Sequence, residues 1–195
     1  MAVPVGRSVY TGMLNERGTY ESDVTVTRTG PEEFLIVSSA ATTERDKDHI
    51  RRNMPTGANA SLVDVTSAYA VFGVMGPKSR ELLAGLTTND LSDEAFGFGT
   101  SRLISLGYAT VRATRITYVG ELGWELYVPA EFAVGVYEDL MTAGAHRRIP
   151  QRDQSAGSEC ERIVREVGRG QAGQQFAGLG PHHPEHRVSG CHVDQ

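Results

Sequence analysis

Apolar patterning runs through the first 145 residues of this chain and then stops. That break limits how much of the sequence can close around a core. From His146 to Gln195 only Ile149, Ile163, Val164, Val167, Phe176, Leu179, Val188 and Val193 are Leu, Ile, Val or Phe, 8/50 or 16%. A segment below roughly 20% in these residues struggles to bury a core of its own. The same stretch holds five of the six histidines and both cysteines, Cys160 and Cys191. It shows no sustained alternation or helical stripe beyond 158–167. Residues 1–145 are therefore expected to form the folded domain, and 146–195 a loosely ordered tail.

A chain of 195 residues with 39% hydrophobic and 22% charged content is globular, sized for one ordinary domain or two small ones. Its net charge of −5 argues against a nucleic-acid binder, which presents a basic face. No run approaches the roughly 18 apolar residues needed to span a bilayer, so no membrane partner is expected. Met1–Arg7 lacks the charged-then-apolar pattern of a signal peptide, and two cysteines are too few for a disulfide scaffold. A reducing compartment follows as the expectation: the cytoplasm, or the mitochondrial matrix in a eukaryote.

Within the first part, Ser22 to Arg28 alternates polar residues with Val, the period of a half-buried strand, with Gly18 and Gly30-Pro31 as flanking turn signals. Phe34 to Val37 reads as a pairing strand. Thr42 to Met54 is helix-compatible, with Thr42 or Thr43 as its N-cap. Leu62 to Met75 reads as extended. Pro77 opens a helix with Leu82, Leu83 and Leu86 as its stripe. Arg102 to Val119 gives two strands broken near Gly107, and Trp124 to Val128 another. Ala130 to Ala143 is expected to be a helix with Phe132, Val136 and Leu140 inward and Gly144 as its stop. Hairpin-like strands interleaved with a few helices predict an α+β domain with mostly antiparallel sheet.

Common catalytic motifs give little. Gly168-Arg-Gly-Gln-Ala-Gly173 matches G-x-G-x-x-G as a string, but lacks the apolar strand before it and the helix after it. No FAD site is therefore expected in this chain. His182, His183 and His186 read as a solvated His-rich tail rather than metal ligands, for want of a frame and acidic or thiolate partners. Two stretches say more. In the first, Tyr10 and Asp23 lie thirteen positions apart across Gly12 and Gly18, where a hairpin would bring them together. In the second, Tyr118-Val-Gly-Glu121-Leu-Gly-Trp124-Glu125, a Tyr and two acids surround Gly120 and Gly123, where backbone can approach a flat ligand. Carboxylates suit a ligand with paired N–H donors. By pattern alone Asp23 reads first as a turn former, and Tyr118–Glu125 as an exposed loop.

Val9-Tyr-Thr-Gly-Met-Leu-Asn-Glu-Arg-Gly18 through Val26, then Val74-Met-Gly-Pro-Lys-Ser-Arg80 with Leu82-Leu83, then Tyr118–Val128 resemble the glycine-cleavage aminomethyltransferase (T-protein) superfamily. The wording is closest to the folate-binding carboxyl-terminal module of dimethylglycine and sarcosine dehydrogenases and oxidases. The resemblance covers about residues 3 to 145. It implies part of a cloverleaf of small subdomains, one of them ferredoxin-like, around a hole that admits tetrahydrofolate. It implies that Asp23 lies near the folate nitrogens that accept a one-carbon unit and is catalytic. Glu125 would hold the pteridine, Tyr10 and Tyr118 would border the pocket, and Glu121 would be structural. The implied activity is transfer of a one-carbon unit from an amine-derived iminium or aminomethyl group to tetrahydrofolate, with folate and a flavin-dependent amine dehydrogenase domain or subunit as partners and no metal.

Only nine residues precede Tyr10, whereas the family has a further segment there. After Ala145 the family continues to a helix whose Arg grips folate, and this chain runs instead through His146-Arg-Arg-Ile-Pro. A truncated or frame-altered product is therefore an expectation. So are two alternative functions, a non-catalytic folate-binding protein and an inactive fragment of an amine dehydrogenase. A third alternative is an unrelated interaction domain that binds no folate.

Overall fold

The computed structural model describes residues 3–146. The expected tail, with Cys160, Cys191, the 168–173 glycine string and the three tail histidines, lies outside the described residues. In chain order the elements are β1 (Ser8–Leu14), β2 (Tyr20–Arg28), β3 (Phe34–Ser38), α1 (Thr43–Asn53), β4 (Tyr69–Met75), α2 (Ser79–Ala84), β5 (Ser101–Leu106), β6 (Ala109–Thr114), β7 (Gly123–Pro129) and α3 (Ala133–His146). Two antiparallel sheets result, ordered β1-β2-β3 and β4-β7-β6-β5. The α+β expectation holds.

The core belongs to the four-stranded sheet. Period-2 alternation sends Phe72 and Val74, Ile104 and Leu106, Val111 and Ala113, and Trp124, Leu126 and Val128 to one face. Register places Phe72 opposite Leu126 and Ile104 opposite Val111, so these side chains meet across strands. Leu83 of α2, Val136 and Leu140 of α3, and Leu91 and Phe96 of the intervening loop close over that face. Each fully buried aliphatic or aromatic side chain contributes about 1.5–3 kcal/mol. The three-stranded sheet is much poorer: among the described residues Val24 is its one fully buried apolar side chain. It is held to the larger sheet mainly by backbone. Ser8 N–H donates to Gly99 O at 2.8 Å, Ser101 N–H donates to Gly6 O at 2.7 Å, and Arg7 bridges Thr100.

Three local expectations need correction. Thr42 does precede the helix, but its hydroxyl donates to the buried Asp46 carboxylate at 2.7 Å instead of capping a backbone N–H. The extended run begins only at Tyr69, because Asp64 Oδ1 accepts the Thr66 N–H at 2.9 Å and folds 66–68 into a 3-10 turn. Phe132 sits exposed in a second such turn, Ala130–Phe132. The inward stripe of α3 is Val136 and Leu140 with Ala133 and Tyr137, and the helix runs through Gly144 to His146. Gly144 faces Leu82 of α2, where a β-carbon would lie 3.6 Å from Leu82 Cδ1.

Candidate functional site

The β1–β2 turn fixes the first half of the site. Asn15 Oδ1 accepts N–H groups from Arg17 and Thr19, and Gly18 takes the left-handed conformation (φ 74°) that closes the turn. With that register Tyr10 pairs with Thr25 and Gly12 with Asp23, so Tyr10 and Asp23 lie diagonally on one sheet face. The Tyr10 hydroxyl donates to Asp23 Oδ2 at 2.6 Å. The bond to the Asp23 carboxylate, followed by partial burial and the Asp23 charge, pushes the Tyr10 phenol up to about 12. Tyr10 is therefore a neutral donor at any physiological pH, although 69% of it is exposed. Asp23 is exposed too.

Two more phenols share this neighbourhood. Tyr118, on the loop between β6 and β7, and Tyr20, at the start of β2, both act electrostatically on Tyr10. Tyr20 was not singled out from the sequence. Its ring lies over Gly12, where any β-carbon would fall 2.4 Å from Tyr20 Cε1. The readable signal was a glycine inside a strand, which marks a close approach.

Glu125 stands on the other sheet. It occupies β7 between Gly73 of β4 and Thr114 of β6, on the face turned away from the core. The half-buried carboxylate accepts the Tyr127 hydroxyl at 2.6 Å through Oε2. Burial raises the Glu125 carboxyl above its ordinary range, and the Tyr127 bond opposes that rise. Burial and then the Glu125 charge push the Tyr127 phenol well above its usual value. The glycines beside Glu125 behave differently from one another. Met75 lies across Gly123, with its sulfur 2.1 Å from where a β-carbon would sit, while the space around Gly120 is open. A flat ligand therefore has free approach at Gly120, and meets the mobile thioether at Gly123.

The structure thus groups Tyr10, Asp23, Tyr20 and Tyr118, and sets Glu125 with Tyr127 on the neighbouring sheet. Glu121 lies partly buried, with Oε2 lacking a hydrogen-bond partner. Trp124 is fully buried on the core face, with the guanidiniums of Arg80 at 5.9 Å and Arg115 at 5.6 Å from its ring and Phe96 packed edge-on at 6.1 Å. Asp93 ion-pairs with both arginines. Among the described residues no cluster of His, Cys, Asp and Glu could hold a metal ion, and no helix is long and apolar enough to cross a membrane.

An α+β domain with an acid–phenol pair on a hairpin and a second acid on a separate sheet is the setting in which the comparisons fall. The GCVT N-terminal domain family matches residues 1–167, so the chain belongs to that family. Within it, the chain is 40% identical over 142 residues to a 4-methylaminobutanoate oxidase (formaldehyde-forming) of Paenarthrobacter nicotinovorans, and 36% identical over 156 residues to human mitochondrial sarcosine dehydrogenase. Each match covers 73% of this chain and 17% of the relative, so the chain spans about a sixth of their length. A heterotetrameric sarcosine oxidase from Corynebacterium has the same fold, with a TM-score of 0.55, 20% identity and coverage of 77% of this chain and 70% of that one.

Proposed function

We propose that this chain is a tetrahydrofolate-binding module that passes a one-carbon unit from an amine-derived iminium or aminomethyl group to folate. The observation that carries the reading is the Tyr10–Asp23 hydrogen bond, with Tyr118 beside it, in a chain of the aminomethyltransferase family. When bound, tetrahydrofolate supplies the nucleophilic nitrogens that take up the carbon. The residues present fit such a ligand: Asp23 offers a carboxylate at the surface, and Glu125 offers a half-buried carboxylate for paired N–H donors.

In this reading Glu125 and the open backbone at Gly120 hold the flat ring, and Tyr10 and Tyr118 border it. Asp23 would accept the proton released as one folate nitrogen bonds to the iminium carbon, whose π electrons pass to the amine nitrogen. It would return that proton to the amine nitrogen as the carbon–amine bond breaks and the second folate nitrogen takes its place, so that the amine leaves protonated. Tyr10 does not compete for that proton, because its phenol stays neutral and only orients Oδ2. Base catalysis of this kind is worth about 10²–10⁴-fold. The amine donor reaches the site from a flavin-dependent amine dehydrogenase domain or subunit.

The test is Asp23→Asn in the full chain. Tetrahydrofolate affinity, read by calorimetry, is expected to stay within about threefold. Methylenetetrahydrofolate formation, with iminium supplied by a sarcosine-oxidising flavoenzyme, is expected to fall by about 10²-fold or more. Transfer undiminished in the variant would remove Asp23 from the chemistry. A native chain that binds no tetrahydrofolate up to millimolar concentration would remove the whole reading.

A further inference from the structure

The junction between the two sheets holds a feature that one-carbon transfer does not use. An open cleft of about 420 Å³ is lined there by Val5, Thr29, Ser101, Arg102, Leu103 and Arg112, among others. Arg112 projects from the β6 position paired with Tyr127 and donates one long bond, 3.5 Å, to Ser101 Oγ. That oxygen already accepts the Thr114 hydroxyl at 2.9 Å. Arg102 lies over the Phe96 ring at 5.4 Å.

Among the described residues neither guanidinium forms an ion pair. Arg7 and Arg28, at the same junction, give their N–H groups to the carbonyls of Phe98, Val3, Gly30 and Pro31 and to no carboxylate. Two acids approach without lining the cleft: Asp90, which feels the charge of Arg102, and Glu33, whose side chain lies against Gly30. Thr29 adds a buried hydroxyl oxygen with no hydrogen-bond partner. Arg112 thus brings to the cleft a guanidinium that has no carboxylate partner among the described residues.

We propose that this cleft binds a small organic anion. Arg112 would take a carboxylate or phosphate head through its planar fork. Val5 and Leu103, both exposed, would carry a short apolar stem. Asp23 is remote from this cleft, because Thr29 lies six residues beyond it along an extended strand, about 20 Å away, whereas Arg112 pairs with Tyr127, the residue whose hydroxyl holds Glu125.

The experiment titrates the ¹⁵N-labelled full chain separately with inorganic phosphate and with glutarate, at ionic strength held constant with sodium chloride. Saturable shifts at the Gly6, Thr29 and Ser101 amides are expected with at least one probe, in the millimolar range or tighter, while the Tyr10 and Asp23 amides stay put. Preference between the probes identifies the head group as phosphate or carboxylate, and equal binding assigns recognition to the oxyanion alone. Arg112→Gln is expected to weaken binding at least tenfold. Arg112→Lys, which keeps the charge but loses the fork, is expected to weaken it less, and serves if the glutamine variant does not fold. Shifts that match a sodium chloride control, or affinity unchanged in both Arg112 variants, overturn the proposal.

Discussion

A hydroxyl and a carboxylate 2.6 Å apart on a solvent-facing strand pair would ordinarily be a minor surface contact. Here the contact fixes a titration. The Tyr10 phenol is raised in the fold, so the bond to Asp23 stabilises the folded chain below the ordinary tyrosine pKa and is lost as pH rises through about 12. An ultraviolet titration of tyrosinate should accordingly contain, besides the delayed Tyr127, a step near pH 12 that Asp23→Asn moves back towards 10 and Tyr10→Phe abolishes. A step that stays put in Asp23→Asn would mean that the pair does not form. Gly12 makes a second test of the same site. Its Ala variant must displace the Tyr20 ring, because no β-carbon fits there. The expected result is tetrahydrofolate affinity reduced by about tenfold with a thermal midpoint lowered only slightly, since Tyr20 is exposed and can swing away. At Glu125 stability and binding should oppose each other. Burial raises this carboxyl, so its protonated form is favoured in the fold, and ionisation costs stability as pH rises through the folded value. Glu125→Gln keeps an acceptor for Tyr127 and should raise the thermal midpoint at pH 7, with the gain shrinking towards pH 4. Tetrahydrofolate affinity should fall about 10- to 100-fold, the worth of a charge-assisted hydrogen bond. A neutral-pH midpoint that drops instead would assign Glu125 a stabilising role.

At the scale of elements, what the sequence disclosed depended on whether local pattern and tertiary packing agreed. Ser22–Arg28 alternates cleanly, and it is β2. The Gly107 break falls where β5 turns into β6, and the Trp124–Val128 run is the buried centre of β7. Elements failed where a single polar side chain redirected the backbone: Asp64 folds 66–68 into a turn inside what reads as one extended stretch. Helix α3 failed differently. A stripe counted at four-residue spacing from Phe132 misses that Pro129 leads into a 3-10 turn, which leaves Phe132 outside the stripe. Gly144 reads as a stop, yet the helix runs through it to His146, and a β-carbon there would make only ordinary contact with Leu82. The site was legible as a hairpin: thirteen residues and two glycines suffice to bring Tyr10 to Asp23. Tyr20 was invisible because its role arises from lying over Gly12 across a register shift between Met13 and Leu14, which no periodicity encodes. The polar helix α1 shows the same dependence on tertiary context. It is tied down by Arg45 Nη2 donating to Glu21 O at 2.6 Å and by Lys47 paired with Asp64, with almost no apolar face. Arg45→Ala should free its first turn, visible as faster amide exchange in α1 with the rest of the chain unchanged.

Across the whole molecule, the two halves of the proposed site rest on supports of unequal strength. Glu125 stands on β7, whose alternate residues Trp124, Leu126 and Val128 are fully buried and covered by α2 and α3. Tyr10 and Asp23 stand on a sheet with Val24 as its one fully buried apolar side chain among the described residues, joined to the rest through backbone bonds at residues 6–8 and 99–101. Few buried contacts and much solvated backbone mean a low local opening free energy, so the halves should exchange amide hydrogens on different scales. In the free chain, amides of β2 and β3 should exchange at least tenfold faster than those of β7. Weakening the core separates the two further: Trp124→Ala should cost about 3–5 kcal/mol in denaturant unfolding and accelerate β7 exchange much more than that of β2, which already opens independently. A ligand held by both sheets would reverse the inequality. Binding favours the closed form by RT ln(1 + [L]/Kd), about 2.7 kcal/mol at a hundredfold excess over Kd. Tetrahydrofolate at that excess should therefore slow exchange at Tyr10, Asp23 and Thr25 by about two orders of magnitude, and at Trp124 much less. Protection confined to β7, with β1 and β2 untouched, would mean that the two acids do not serve one ligand.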